Sequence, residues 1–210
     1  MQLPGIKNII FDLGGVIINL DFNKTYDAFA SLGEITKNEI IEILKNSKLF
    51  DIHGNGDLTD EEFRSEIRKI LKKEIPDNKI DNAFNALLLD IPLKRILLLK
   101  ELAKCYRLFL LSNTNNIHIL EVNKILYESC NIPSLNSLFE KIYYSHELKL
   151  SKPDKNIYLK VLADNELLPE ETVFIDDNAD NITGAQAVGI KGILVDETNT
   201  IIELFNNAGE

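Results

Sequence analysis

The sequence predicts an α/β protein with a doubly wound parallel sheet and one inserted helical segment. From about residue 93 onward, short apolar runs typical of buried strands alternate with helical apolar periodicity. Between residues 23 and 89 the pattern is helical throughout and contains no strand-like run. We therefore expect a core made of residues 1–22 and 90–210, and a small all-helical cap made of residues 23–89.

Five short apolar runs are predicted to form the sheet. They lie at residues 7–12, 107–111, 141–145, 173–175 and 191–195. Their apolar character is nearly continuous, as expected of parallel strands that are buried on both faces. Polar residues end or directly follow three of the runs: Asp12 ends the first, and Ser112 and Asp176 follow two later ones. Because ligands bind at the carboxyl ends of strands in open parallel sheets, we expect a site at this edge.

The predicted cap contains several helix-start signals. Thr36 and Thr59 are each followed three positions later by glutamate, which is the pattern of a capping box. A glycine-rich polar segment at residues 51–58 resembles a calcium-binding loop. However, one of the ligand positions is occupied by His53, and an imidazole is a poor ligand for a hard cation. A turn that leads into a capped helix explains the same residues. We expect His118 and His146 in helical or surface positions rather than as metal ligands, although His146 follows a strand and could flank the site.

The composition narrows the classes of partner. The chain has 210 residues and a formal net charge of −10, and its pI is about 4.9. An acidic surface disfavours nucleic acid and anionic membranes as partners, because both require a basic footprint. We expect neither a secretory signal nor a membrane span, since no apolar stretch approaches the roughly 20 residues that a span requires.

The two cysteines fit a reducing compartment. Cys105 and Cys130 have neither metal-type nor redox-type spacing. Cys105 falls within a helical apolar pattern, which predicts a buried free thiol. These features favour a cytoplasmic location.

Three carboxylates are predicted to meet at the sheet edge. Asp12 follows the first strand, and Asp176 and Asp177 follow a later one. Carboxylates brought together in this way repel one another unless a cation or a shared proton offsets their charge. A Mg²⁺ site with a carboxylate nucleophile is the simplest explanation.

Four motifs at strand ends or helix starts occur in a characteristic order. They are Asp12, then Ser112-Asn113, then Lys152-Pro153-Asp154, then Asp176-Asp177. Over essentially the whole chain, this order and spacing resemble the haloacid dehalogenase superfamily. The resemblance implies a Rossmann-like core, and the helical segment after the first strand is similar to the small helical cap of that superfamily.

The resemblance also implies a role for each motif. Asp12 would attack phosphorus to form an aspartyl-phosphate, and Mg²⁺ would be held by Asp12, Asp177 and the backbone carbonyl of Gly14. Ser112 and Asn113 would hold the phosphoryl oxygens, and Lys152 would neutralise the transferred group. Asp176 would orient Lys152 or a water on the metal without binding the metal itself.

One position departs from the pattern of the resembling phosphatases. Most of them carry a second aspartate where this chain has Gly14, and that aspartate protonates the leaving alkoxide. A positioned acid contributes about 10²–10⁴ in rate. Three alternatives remain open: a leaving group that needs little acid help, a replacement acid such as Asp21 or His53, or slow or absent hydrolysis.

The sequence therefore predicts a Mg²⁺-dependent phosphatase, a monomer or homodimer, that acts on a small phosphorylated metabolite such as a sugar phosphate. One alternative is a 2-haloacid dehalogenase. Such an enzyme needs no metal, so the adjacent carboxylates of Asp176 and Asp177 would have no purpose in it, and their presence favours the phosphatase. The other is a catalytically weak binding or regulatory protein that keeps the fold. Gly14 gives weight to the second alternative.

Overall fold

The predicted strands form a single parallel sheet in which the first strand is central. The computed structural model describes residues 3–207, without the side chain of residue 207. The sheet order is β3-β2-β1-β4-β5, and every pairing is parallel. The strands are β1 (Asn8–Phe11), β2 (Arg107–Ser112), β3 (Lys141–Tyr144), β4 (Thr172–Asp176) and β5 (Lys191–Leu194).

Helices cover both faces of this sheet. They are α6 (Leu93–Leu102), α7 (Asn116–Cys130), α8 (Ser145–Leu148), α9 (Lys155–Asp164), α10 (Ala179–Gln186) and α11 (Ile201–Asn207), following the five helices described below. Helices α6, α7 and α11 pack with Ile9 and Phe11 on one face. Helices α9 and α10 pack with Ile10 and Phe174 on the other. Alternate residues of each strand therefore enter two separate cores, as a doubly wound sheet requires.

Five helices separate β1 from α6. They are α1 (Phe22–Gly33), α2 (Lys37–Ser47), α3 (Leu49–Gly54), α4 (Asp60–Leu71) and α5 (Asp77–Asn85), and together they are called the helical insert below. The insert has its own apolar cluster, in which Phe29, Phe63 and Phe84 are almost fully buried. Both predicted capping boxes are present, at Thr36 and Thr59.

Two local expectations need correction. The polar segment that begins at residue 51 is helical as far as Gly54, because Leu49 and His53 in α3 turn inward and are buried. Cys105 is exposed rather than buried, since α6 ends at Leu102 and the cysteine lies in the turn that follows. The thiol therefore does not lie on the apolar helix face that the sequence pattern around it predicted.

The helical insert is fixed to the sheet domain by close contacts. At Gly56 the backbone comes so near to α8 that an added Cβ would lie 2.1 Å from the carbonyl oxygen of His146. The side-chain amide of Asn116 donates to Asp60 at 2.8 Å, and Ile117 belongs to the apolar cluster of the insert. Within residues 3–207, no helix is both long and apolar enough to cross a membrane.

Candidate active site

The sheet topology brings the polar strand ends together. β1 lies between β2 and β4, so Asp12 emerges between Ser112 on one side and Asp176 on the other. The backbone N–H of Asp12 still donates to Ile175 at 2.9 Å, which continues the sheet pairing to the carboxylate. The nucleophile predicted from the sequence therefore projects from the centre of the carboxyl edge.

Lys152 joins two of the carboxylates from the loop that precedes α9. Its Nζ lies 2.7 Å from Asp12 Oδ1 and 2.7 Å from Asp176 Oδ2. The lysine side chain is 1% exposed, so these ion pairs are shielded from water. A cation that is buried in this way must be compensated, and the two carboxylates supply the compensation.

Burial dominates the protonation behaviour of this group of charges. Desolvation raises the pKa of Asp12 to about 7, with Lys152 opposing the shift and Asp176 adding to it. The pKa of Lys152 is itself raised: its own burial acts against this, but the adjacent Asp12 and Asp176 carboxylates outweigh it. Lys152 is therefore a permanent cation at neutral pH.

Asp176 and Asp177 differ in what their carboxylates contact. Asp176 is fully buried, and besides Lys152 it accepts from the backbone of Asn178 at 2.8 Å and from the side-chain amide of Asn181 at 3.1 Å. Within the described part of the chain, Asp177 has no side-chain hydrogen bond of this kind. Desolvation and the charge of Asp176 raise the pKa of Asp177. Asp176 thus holds its neighbours in place, and Asp177 is free to bind a ligand.

The carboxylates suit a hard divalent cation. Asp12, Asp176 and Asp177 each present a ligand atom within 4.8 Å of the others, and they are the one such group of three found among residues 3–207. Carboxylate and carbonyl oxygens are the ligands that Mg²⁺ prefers. The pKa values of Asp12 and Asp177 are raised, which means that their ionised forms are disfavoured in the protein alone. A bound cation would stabilise these ionised forms.

A glycine turn leaves room for this arrangement. Gly15 has a φ of +69°, and an added Cβ would lie 2.1 Å from Asp177 Oδ2. Position 15 therefore requires glycine for its backbone conformation and for the approach of the carboxylate. Gly14 contacts Leu20 instead, since its added Cβ would meet only the end of that side chain, at 2.6 Å.

Ser112 and Asn113 have different environments. Ser112 is buried at the end of β2 and lines the cavity described below. The side chain of Asn113 forms two hydrogen bonds to the backbone of Lys152, each 2.9 Å long. The structure thus places the Asn113 amide on the lysine loop. Sequence reasoning missed this contact, which fixes the position of Lys152.

The two candidate replacement acids lie elsewhere. Asp21 is the N-cap of α1 and accepts from the backbone of Asn23 at 3.0 Å, and it is not among the residues that line the cavity. His53 is buried within the helical insert, stacked on Phe63 and 2.9 Å from Asp60. Neither side chain is brought to the carboxylates.

A cavity of about 400 Å³ lies between the carboxyl edge and the helical insert. At one end it is lined by Gly14, Ser112 and Lys152. The remaining wall is mainly apolar, with contributions from both parts of the molecule: Leu13, Ile18, Leu20, Phe22, Phe50, Phe84, Leu87, Leu88 and Val122. His118 and Asp51 are the ionisable side chains of that wall.

His146 lies beside the cavity without lining it. Its Nδ1 is 2.9 Å from the carbonyl oxygen of Thr114, a cavity residue. His118 lies in a helix, as expected. It belongs to α7, but it is half-buried and lines the cavity.

Comparison with known proteins identifies relatives along nearly the whole chain. The profile of the haloacid dehalogenase-like hydrolases matches residues 6–189. A D-ribitol-5-phosphate phosphatase of Bacteroides thetaiotaomicron is 30% identical over 186 residues, which is 89% of this chain and 90% of that protein. A sesquiterpene phosphatase of Aspergillus oryzae is 27% identical, with 97% of each chain covered.

Solved structures give the same relationship. A haloacid dehalogenase family enzyme from Bacteroides thetaiotaomicron superimposes with a TM-score of 0.90 at 37% identity, covering 96% of this chain and 98% of that one. A complex of that enzyme with magnesium and inorganic phosphate gives a TM-score of 0.86 at 35% identity, covering 95% and 99%. The parallel sheet, the carboxylates at the strand ends and the extent of these matches all indicate the same family. The chain belongs to the haloacid dehalogenase-like hydrolases.

Proposed function

We propose that the protein is a Mg²⁺-dependent phosphatase that acts on a small phosphorylated metabolite. The observation that carries this is the position of Asp12, paired with buried Lys152 and within 4.8 Å of Asp177. The similarity to a D-ribitol-5-phosphate phosphatase, and to an enzyme whose structure contains magnesium and phosphate, supports the same chemistry.

Asp12 would act as the nucleophile. Its Oδ1 is held by Lys152, which leaves Oδ2 to attack phosphorus. The bond from Oδ2 to phosphorus forms as the bond from phosphorus to the leaving oxygen breaks, and water then cleaves the aspartyl-phosphate. The Ser112 hydroxyl and the backbone N–H of Asn113 would donate to the phosphoryl oxygens, and Lys152 would balance their growing charge.

Asp12, Asp177 and the Gly14 carbonyl would hold Mg²⁺. When bound, the ion offsets the negative charge of the phosphoryl group and of the carboxylates. Asp176 would not bind the ion, because its oxygens already accept hydrogen bonds from Lys152, Asn178 and Asn181. Its role is to fix Lys152.

Departure of the leaving group depends on the chemistry of the substrate. Gly14 has no acid to offer, and neither Asp21 nor His53 lines the cavity. The leaving oxygen therefore takes its proton from water or departs from a substrate that needs little help. Phosphates of more acidic hydroxyls should therefore react faster, whereas a phosphate of a primary alcohol would depend on water for this proton.

The helical insert would act as the cap that selects the substrate, with the core at residues 1–22 and 90–210. We further propose a cytoplasmic enzyme, either a monomer or a homodimer. A 2-haloacid dehalogenase is the weaker alternative: the free Asp177 carboxylate beside Asp12 has no task in a reaction without metal. The dehalogenases among the structural matches are 18% identical and share the fold alone.

Hydrolysis of p-nitrophenyl phosphate tests the proposal. Its leaving group needs little acid, so turnover should occur with Mg²⁺ and be lost in EDTA. Asp12→Asn should lower kcat by about 10³-fold or more, because the nucleophile is removed. Asp21→Asn, at a half-buried helix cap that does not line the cavity, is the matched control and should retain activity. Chloride release from 2-chloropropionate without phosphatase activity would overturn the proposal.

A further inference from the structure

His118 is one of the polar side chains in the mainly apolar wall of the cavity, together with Asp51 and Asn115. It lies on the same face of α7 as Val122 and follows the N-cap residue Asn115, and both of these residues also line the cavity. Its ring packs on Phe84 of the helical insert, with centroids 4.0 Å apart. The imidazole is therefore held at the junction of core and insert.

The hydrogen bond to Asn85 determines which ring nitrogen faces the ligand. His118 Nδ1 lies 2.7 Å from Asn85 Oδ1, a carbonyl oxygen that can only accept, so Nδ1 carries the proton. Nε2 has no hydrogen-bond partner within residues 3–207 and is not among the fully buried unpartnered atoms there. Since His118 lines the cavity, Nε2 is the atom that a ligand can reach.

The charge state of the ring agrees with this geometry. Burial lowers the pKa of His118 to about 3. The imidazole is therefore neutral at physiological pH, and an unprotonated Nε2 is a hydrogen-bond acceptor. It cannot serve as an imidazolium acid that would replace the residue absent at Gly14.

We propose that His118 is a specificity-determining residue that accepts a hydrogen bond from a hydroxyl group of the leaving alcohol. The carbon face of the same alcohol would pack on Phe50 and Phe84. A substrate of this kind carries both C–H surface and hydroxyls, as in a polyol or sugar phosphate. This inference rests on the phosphatase function proposed above.

The experiment compares two substrates. D-ribitol 5-phosphate carries hydroxyls on its leaving alcohol, and p-nitrophenyl phosphate carries none. His118→Leu keeps apolar packing but removes the acceptor, so kcat/KM for D-ribitol 5-phosphate should fall about tenfold, the usual size for one hydrogen bond to a neutral group. For p-nitrophenyl phosphate the change should stay within about twofold.

Two further variants separate recognition from packing. His118→Gln offers an amide oxygen and should recover part of the activity on D-ribitol 5-phosphate. Leu120→Ala lies on the exposed side of the same helix and should leave both substrates unaffected.

Each remaining outcome is decisive. An equal fall for both substrates, or no fall for either, would overturn the role of His118. Turnover of p-nitrophenyl phosphate with none of D-ribitol 5-phosphate in the native enzyme would overturn the hydroxyl-bearing substrate class but keep the phosphatase function. With no Mg²⁺-dependent turnover of either, the proposed function itself fails and the inference fails with it.

Discussion

The two ends of the cavity are built from different interactions. At the carboxyl edge of the sheet, the buried charges of Lys152 and Asp176 form an ion pair, with 2.7 Å between Lys152 Nζ and Asp176 Oδ2. At the end under the helical insert, the wall is mainly apolar, and it contains Asp51 and a His118 that is neutral at physiological pH. A change among mutually dependent buried charges leaves a partner uncompensated, whereas a change in an apolar wall alters shape. We therefore expect the first end to tolerate almost no substitution and the second to tune selectivity.

The largest effect is expected at Lys152. Lys152→Met removes the cation between Asp12 and Asp176, which leaves two buried carboxylates to repel each other. Breaking a buried pair in this way costs about 3–5 kcal/mol of unfolding free energy, and catalysis should also be lost. Urea denaturation and p-nitrophenyl phosphate assays measure the two effects.

Two variants show whether uncompensated charge is the cause. Lys152→Met combined with Asp176→Asn should regain part of the stability, because one repelling charge is gone. Lys160→Met removes an exposed lysine paired with Asp164 and should change stability by less than about 1 kcal/mol. Equal losses for the two lysine variants would show that burial of Lys152 is not what matters.

Gly15→Ala tests the space that the proposed metal ligand needs. The added Cβ would lie 2.1 Å from Asp177 Oδ2, so the carboxylate must move. We expect the Mg²⁺ concentration for half-maximal activity to rise about 10–100-fold, the range seen when a ligand's support is disturbed. A Mg²⁺ titration of phosphatase activity measures this.

Gly5→Ala is the control that measures the effect of backbone strain alone. Gly5 has a φ of +77°, comparable to the +69° of Gly15, but no atom lies within 4 Å of its added Cβ. This variant should share the strain and keep the native Mg²⁺ requirement. If Gly15→Ala behaves like Gly5→Ala, Asp177 does not need its observed position.

Gly56→Ala tests the contact that fixes the helical insert to α8. Its added Cβ would lie 2.1 Å from the carbonyl oxygen of His146, so the insert must shift away from α8. We expect KM for D-ribitol 5-phosphate to rise several-fold, while kcat for p-nitrophenyl phosphate changes less, because the carboxyl edge is untouched. Gly5→Ala again reports the cost of strain. A rise in the Mg²⁺ requirement that matches the rise in Gly15→Ala would mean that the two ends are not separable.

The same contrast explains how far the sequence predicts the molecule. The strands and the residues Asp12, Lys152, Asp176 and Asp177 are predictable, because strand ends in a parallel sheet must meet at one edge. The contact from Asn113 to the Lys152 loop is not, since it joins segments 39 residues apart through a loop conformation. His118 was missed because its place in the wall depends on how α7 meets the insert. Its spacing from Asn115 and Val122, just after Ser112-Asn113, is the signal that could have indicated it.

The smallest expected effect is the pH dependence of stability caused by His118. Burial lowers its pKa in the folded protein to about 3, against 6.5 for an ordinary histidine. Below pH 6.5 the unfolded chain takes up a proton that the folded chain refuses, so the unfolding free energy falls as the pH falls. For this one group the decrease between pH 6 and pH 5 is about 1 kcal/mol. Urea denaturation of the native protein and of His118→Leu at both pH values isolates it, because the other titrating groups remain in both. The variant should lose about 1 kcal/mol less over that interval, and equal losses would mean that His118 is protonated in the folded protein and is not the neutral acceptor proposed for the leaving-group end.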